Sequence, residues 1–327
     1  MPKSIDIAGA RALITTRAEL RSRGHSEREI EHLVTDGVLR RVRNNRYVEG
    51  DAWASLWNEG RHLVEVVATQ LNSAAPGPVF WGASAAVLHG LPLYRLAPKR
   101  VHAAIMTARH GRTAAGVMWH RVPIDAVDIV ERDGIRCTSL ERTVLDLACT
   151  SAATVALSAA DAALRSVAVS GQVQDADITR DWKEQMLARA ERPRRPGIRG
   201  AREILSVADG RAQLPGESVS RLHLLSLGFS APALQVHVVG SAGQNYWLDF
   251  GFRRSRCFGE FDGQGKYLDD SIRGRRSADE VVIAEKRRED DIRGVTGWRI
   301  VRWGSEDITS ASALGAKLAS FGIRPPG

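Results

Sequence analysis

Apolar residues fall into short blocks at helical or alternating spacing, separated by breaks rich in glycine, asparagine and proline. Near the start, Thr16 with Glu19 and Ser26 with Glu29 match the S/T-x-x-E capping box, in which a hydroxyl and a carboxylate satisfy free amides at a helix start. The pattern predicts two short helices. The first stops at Gly24, and the second covers residues 27–35 and stops at Asp36-Gly37, with Ile30, Leu33 and Val34 on one face. Residues 39–43 and 46–48 then flank Asn44-Asn45, a pair suited to the positive φ angles of a two-residue hairpin turn. In the symmetric register Arg43 faces Arg46 and Arg41 faces Val48, while Val42 and Tyr47 point to the opposite side.

Further along, residues 79–148 read as a strand at 79–81, a helix at 83–89 ended by Gly90, strands at 101–106 and 117–122, and a helix at 139–148. That order describes a small α+β unit. After Leu214 the periodicity changes again. Pro215 and Gly216 introduce a helix with Glu217 in its first turn and Leu222, Leu225 and Phe229 as its stripe. Strands follow at 234–239, 246–252 and 257–262. A capping box of Ser277 and Glu280 then opens a helix closed by Gly297, and residues 298–303 form a last strand. The C-terminal order is therefore helix, three strands, helix, strand.

Composition sets the scale of this outline. At about 150 residues per domain, 327 residues suggest two or three domains. Hydrophobic residues at 43% and charged residues at 26% exclude a disordered chain. Lys and Arg number 46 against 38 for Asp and Glu, a formal charge of +8 that points towards polyanions. Cys137, Cys149 and Cys257 are widely spaced with no CxxC, which argues against a disulfide framework or a thiolate zinc site and fits a reducing cytoplasm. No stretch has the length and apolarity of an export signal or a membrane span. Basic residues concentrate between residues 179 and 202, together with Pro193, Pro196, Gly197 and Gly200, and read as an exposed linker or short helix. The expected organisation is α+β and multidomain: a winged helix-turn-helix at 1–60, a small α+β middle domain at 61–178, a basic linker at 179–205 and an α/β domain at 206–327.

The winged-helix reading follows from the hairpin. In its expected register Arg41, Arg43 and Arg46 line one side of the ribbon, where like charges repel unless a phosphate backbone neutralises them. The ribbon then acts as a wing that grips double-stranded DNA. Arg28 and His32 on the second helix are weak candidates for base contacts, surrounded as they are by Glu27, Glu29 and Glu31. The histidines at 89, 102, 110 and 120 have no ligand-like spacing and read as packed or exposed side chains. Asp146 and Asp161 read as structural ion pairs or caps. Residues 20–48, the Leu88-His89-Gly90-Leu91-Pro92 string and the Arg142-Thr143-Val144-Leu145-Asp146-Leu147-Ala148 string together resemble the actinobacterial AbiEi-like antitoxin and transcriptional-regulator family. The resemblance covers about half the chain. It implies DNA binding and repression in the cytoplasm, with a toxin or other protein as a further partner.

Chemistry concentrates in the C-terminal strands. Either symmetric hairpin across residues 253–256 sets Asp249 opposite Glu260, with Asp262 on the same face as Glu260. Such carboxylates repel unless a cation joins them, and oxygen donors favour a hard ion, Mg²⁺ or Mn²⁺, that activates water at a phosphodiester. Asp249, Glu260 and Asp262 are the candidate metal ligands. Glu217 either adds a fourth carboxylate or serves only the helix dipole. The element order, with Asp249 in Leu-Asp-Phe and Glu260 in Glu-Phe-Asp-Gly, resembles the PD-(D/E)XK nuclease superfamily and its very-short-patch repair branch, whose fold is of the restriction-endonuclease type. The pattern's lysine, two residues after Glu260, is here Asp262; Lys266 and Lys286 are the candidate replacements. The charged run 285–290 reads as a solvated ladder or a DNA contact, and Arg302 on the last strand as a phosphate contact. Two functions remain open: a metal-dependent DNA endonuclease or nickase, and a non-catalytic AbiEi-type repressor bound to operator DNA.

Overall fold

The protein is described by a computed structural model that covers residues 3–106, 115–191, 196–263 and 278–326. It divides into two compact units, one of residues 1–159 and 186–203, the other of residues 160–185 and 204–327.

The first unit opens with α1 (Ile7–Leu13), β1 (Thr15–Thr16), α2 (Arg17–Ser22), α3 (Glu27–Thr35), β2 (Leu39–Arg43), β3 (Arg46–Glu49), α4 (Gly50–Ala54) and α5 (Asn58–Leu71). Both expected capping boxes close: Thr16 and Ser26 accept the amides of Glu19 and Glu29, whose carboxylates reach back to the cap amides. The three strands form a sheet in the order β1-β3-β2, and Leu20, Ile30, Leu39 and Tyr47 make the core beneath it. The hairpin turns at Asn45 with φ 58° and pairs Arg43 with Arg46, as expected. Its register then departs from the expected one. Arg41 faces Tyr47 and Arg40 faces Val48, because the ladder shifts between Arg41 and Arg43. Burial explains the slip: a bulge lets Val42, Tyr47 and Val48 all enter the core, which strict alternation forbids.

The same unit continues with β4 (Val79–Phe80), α6 (Ala83–Leu88), β5 (Val101–Ala104), β6 (Val117–His120), β7 (Ile129–Arg132), β8 (Ile135–Thr138) and α7 (Leu140–Thr150). Five strands assemble in the order β6-β5-β4-β8-β7. The β7-β8 hairpin is absent from the sequence reading, although Asp133-Gly134, both at positive φ, is a hairpin signal. On α7, buried Arg142 bonds Asp146 at 2.8 Å and lies 3.5 Å from buried Asp128, as expected of a structural pair at Asp146.

Next come α8 (Ala153–Ala168), β9 (Val169–Ser170), β10 (Val173–Gln174), α9 (Ala176–Glu191) and α10 (Ile198–Val207). The segment expected as a linker, 179–205, thus carries most of α9 and α10. Its basic residues flank apolar ones, Trp182, Met186, Ala201 and Leu205, that are buried. Arg189 is likewise structural, bonded to Asp128 at 2.7 Å.

The second unit holds α11 (Pro215–Ser226), β11 (Ala233–Val239), β12 (Asn245–Phe252), β13 (Cys257–Asp262), α12 (Ala278–Thr296), β14 (Arg299–Gly304) and α13 (Ala311–Ser320). The expected order of helix, three strands, helix and strand is present, with α13 as an addition. The sheet runs β11-β12-β13-β14; its first two pairings are antiparallel and β13 with β14 is parallel. Gly216 lets the first turn of α11 lie on Phe261, because a Cβ there would run into the ring. The anchor of α11 is Arg221, 4% exposed, whose guanidinium bonds both oxygens of Asp161, 1% exposed, at 2.7 and 2.8 Å. Among the described residues no helix is long and apolar enough to cross a membrane.

The substitution Arg221→Met keeps the volume but leaves Asp161 buried without its counter-ion. We expect a loss of about 3–5 kcal/mol in urea denaturation of this unit, and a loss below about 1 kcal/mol would show that the pair does not anchor α11.

Candidate functional site

Glu217, Gln235 and Asp249 converge where α11 meets the sheet. Glu217 is 1% exposed and accepts the amide of Gln213 at 2.9 Å. Asp249 is 7% exposed and accepts the amide of Phe261 at 2.8 Å through Oδ2. Between them, Nε2 of Gln235 lies 3.4 Å from Glu217 Oε2 and 3.4 Å from Asp249 Oδ1. Two buried carboxylates therefore share one neutral donor, an arrangement in which their repulsion is only partly relieved.

A break in strand alternation creates this meeting. Residues two apart in a strand normally share a face. Here Leu248 packs with Ile292 of α12, whereas Phe250 stacks on Trp303, whose indole donates to Ser220 of α11. The faces exchange at Asp249. Across the ladder, between the pairs Leu234↔Phe250 and Val236↔Leu248, Gln235 has φ 48°, a left-handed value uncommon for a residue with a Cβ. A Cβ on Gly251 would meet Val236, which packs with Leu248, so the exchange affects both strands.

Glu260 has different company. The expected register holds through Phe252↔Cys257 and Phe250↔Gly259. One step on, Asp249 turns towards Glu217, while Glu260, 8% exposed, is bound by Arg288 at 2.7 Å and Arg302 at 3.1 Å. Arg302 also bonds Glu285 and Glu289 and lies 4.0 Å from Asp262, so its guanidinium, expected at a phosphate, is engaged by carboxylates. The charged run on α12 is correspondingly more than a solvated ladder, since Arg288 and Glu285 close this network over the sheet. Lys286 is exposed and one residue round the helix from Glu285, about 100° off the face that meets Glu260, so it is not brought to the carboxylates. Lys266 and the cap residue Ser277 lie outside the described residues.

The hairpin arginines are also engaged within the protein, which corrects the picture of three guanidiniums presented together on one open side. Arg43 donates to Thr69 at 2.8 Å and lies 3.8 Å from Glu65. Arg46 bonds Asn72 at 2.9 Å and the carbonyl of Leu71 at 3.1 Å. Both therefore fasten the hairpin tip to α5. Arg41 pairs with Glu31 and lies over the Tyr47 ring. Glu27 in turn meets Arg17 and Arg21, so the acidic face of α3 is neutralised from within. Arg28 and His32 are exposed on α3. Arg40, which sequence reasoning passed over, is exposed, lies 5.6 Å from the Trp53 ring centre, and lines with Arg41, Val34 and Leu39 a cleft of about 310 Å³.

Three histidines separated widely in sequence meet in the first unit. His62 bonds Ser84 Oγ at 2.9 Å, that hydroxyl accepts the amide of His102, and His102 Nδ1 lies 2.8 Å from His120 Nε2. Burial pushes His62 down to about 3 and His102 down to about 4, each from 6.5, with charge at a neighbouring histidine as the next cause. Both are therefore neutral structural groups near pH 7. Because their folded values lie below the unfolded one, their contribution is present above pH 6.5 and lost as pH falls towards 4. For His62 that slope is about 1.4 kcal/mol per pH unit. Urea denaturation of this unit at pH 7, 6, 5 and 4.5 checks it: His62→Gln should flatten the decline, and an unchanged slope would overturn the assignment.

Among the described residues, no group of three or more His, Cys, Asp or Glu side chains is arranged to hold a metal ion. The donors that do converge, Glu217 and Asp249 with the Gln235 amide, are oxygen donors of the kind a hard dication takes, and Mg²⁺ commonly uses one or two carboxylates with water. Glu260, held by two arginines, does not fit such a role.

No family model matches the chain. Two curated proteins from strains of Mycobacterium tuberculosis, each described as uncharacterized, are 32% identical to it over 112 residues. That similarity spans 31% of this chain and 41% of the length of those relatives.

Proposed function

We propose that this protein binds double-stranded DNA through an N-terminal winged helix and hydrolyses or nicks phosphodiesters with Mg²⁺ or Mn²⁺ at a PD-(D/E)XK-like C-terminal unit. The observation that carries the reading is the pair of buried carboxylates, Glu217 and Asp249, on one Gln235 amide. Support comes from the element order of that unit, with the two carboxylates at the start of its helix and on its second strand.

In this reading Glu217 and Asp249 hold the ion. When bound, such an ion supplies an activated water and neutralises charge developing on the phosphodiester. Gln213 and Phe261 fix the two carboxylates through their backbone amides, so both are oriented before any ligand arrives. Asp262, with a side chain 30% exposed at the end of β13, lies on the solvent side of the site.

DNA binding is supported by the order α1-β1-α2-α3-β2-β3 with its sheet β1-β3-β2, which is that of a winged helix. The contact surface consists of Arg28 and His32 on α3 with Arg40 and Arg41 at the cleft beside it, rather than of the hairpin tip. A second reading, an AbiEi-type repressor without catalysis, is favoured by one observation: Arg288 and Arg302 already neutralise Glu260, the residue that a PD-(D/E)XK site keeps for its metal.

Supercoiled plasmid with Mg²⁺ or Mn²⁺ separates the two. We expect nicking that falls on the order of 100-fold or more in Glu217→Ala with Asp249→Ala; equal nicking by parent and variant, or none by either beside intact DNA binding, would overturn the nuclease reading. For the contact surface, Arg40→Ala should weaken binding across sequences and lower the salt slope by about one. Arg46→Ala should instead lower the melting temperature with the slope unchanged. The reverse pattern would return the hairpin tip to the interface.

A further inference from the structure

We propose that Gln235 is a positioning residue for the ion: its side chain sets the spacing of Glu217 and Asp249, and its backbone turn brings Asp249 within reach of Glu217. The inference rests on the metal-dependent reading above and deepens it.

The backbone argument comes first. A strand residue at φ 48° is strained unless it is glycine or a short polar side chain that bonds locally. Gln235 is neither, and its strand neighbours Leu234 and Val236 keep their pairs with Phe250 and Leu248 on either side. The turn therefore leaves the register of β11 and β12 intact while exchanging their faces at one level. Without that exchange, Asp249 would follow the alternation that places Glu260 under Arg288 and Arg302, away from Glu217.

The side chain explains why the position is not glycine. Its Nε2 is equidistant from Glu217 Oε2 and Asp249 Oδ1, at 3.4 Å from each. An amide carries donor and acceptor on one planar end. It can thus donate to both carboxylates in the metal-free protein, and a half-turn about its terminal bond presents Oε1 in place of Nε2 when a cation lies between them. Lysine or arginine would hold the carboxylates but exclude the ion by charge. Alanine would leave them facing each other with nothing between.

Mn²⁺ binding by the full-length protein, followed by electron paramagnetic resonance and corrected for binding that survives in Glu217→Ala with Asp249→Ala, provides the test. Metal-free melting temperatures are measured in parallel. Gln235→Gly removes both the strain and the amide. It should melt at or above the parent temperature, yet bind Mn²⁺ at least 10-fold more weakly. Gln235→Glu adds a third carboxylate; it should melt below the parent without metal and gain more from Mn²⁺ than the parent does. Parent-like Mn²⁺ affinity in Gln235→Gly would overturn the positioning role alone. A melting temperature of Gln235→Gly well below the parent's would make the residue structural and overturn it as well. A parent that shows no corrected Mn²⁺ binding would overturn the metal reading of the site, and this role with it.

Discussion

Inside the second unit a single guanidinium, that of Arg221, meets both oxygens of Asp161 where neither group has access to water. A charge in such a place is tolerated only when its partner is fixed, so the pair locks α11 to α8 at one angle and one height. The first turn of α11 is thereby held against β13, with Gly216 on Phe261, and Glu217 is delivered to the edge of the sheet where Asp249 lies. The Asp161 carboxylate also accepts the amide of Asp209, so the approach to α11 is tied to the same centre. The acidic site is thus a consequence of an ion pair some sixty residues apart in sequence.

The same rule governs the arginines. A formal charge of +8 invites a search for phosphate contacts, but a guanidinium close to a carboxylate or carbonyl inside a fold is not available to DNA in the same way. Arg43 and Arg46 fasten the hairpin to α5, Arg142 and Arg189 share Asp128, and Arg288 and Arg302 share Glu260. Arg40 instead lies against an aromatic ring at a cleft. Five donors in a rigid fork suit arginine to both tasks, so residue type alone does not separate staple from contact surface.

Several elements were legible along the chain because their causes are local. Capping boxes at Thr16 and Ser26, the Asn44-Asn45 turn, the three C-terminal strands and the stop at Gly297 all depend on residues within a few positions of one another. The β7-β8 hairpin was missed although its Asp-Gly turn is equally local, because its strands are only four residues each. Of the site, Asp249 and Glu217 were legible as acidic residues on a strand and at a helix start. Gln235 was not, since a glutamine in an apolar strand carries no signal of the backbone turn it adopts.

The sequence by itself determined which segments become helix or strand, their C-terminal order, and the register of the hairpin as far as Phe250 and Gly259, because hydrogen bonding between near neighbours and side-chain period set all three. Tertiary structure alone decided the partners of the charges. Asp249 turns to Glu217 rather than to Glu260, and the linker segment becomes helices α9 and α10. The physical reason is desolvation: the cost of burying a charge depends on what lies opposite it across the fold, and no local pattern of residues records that.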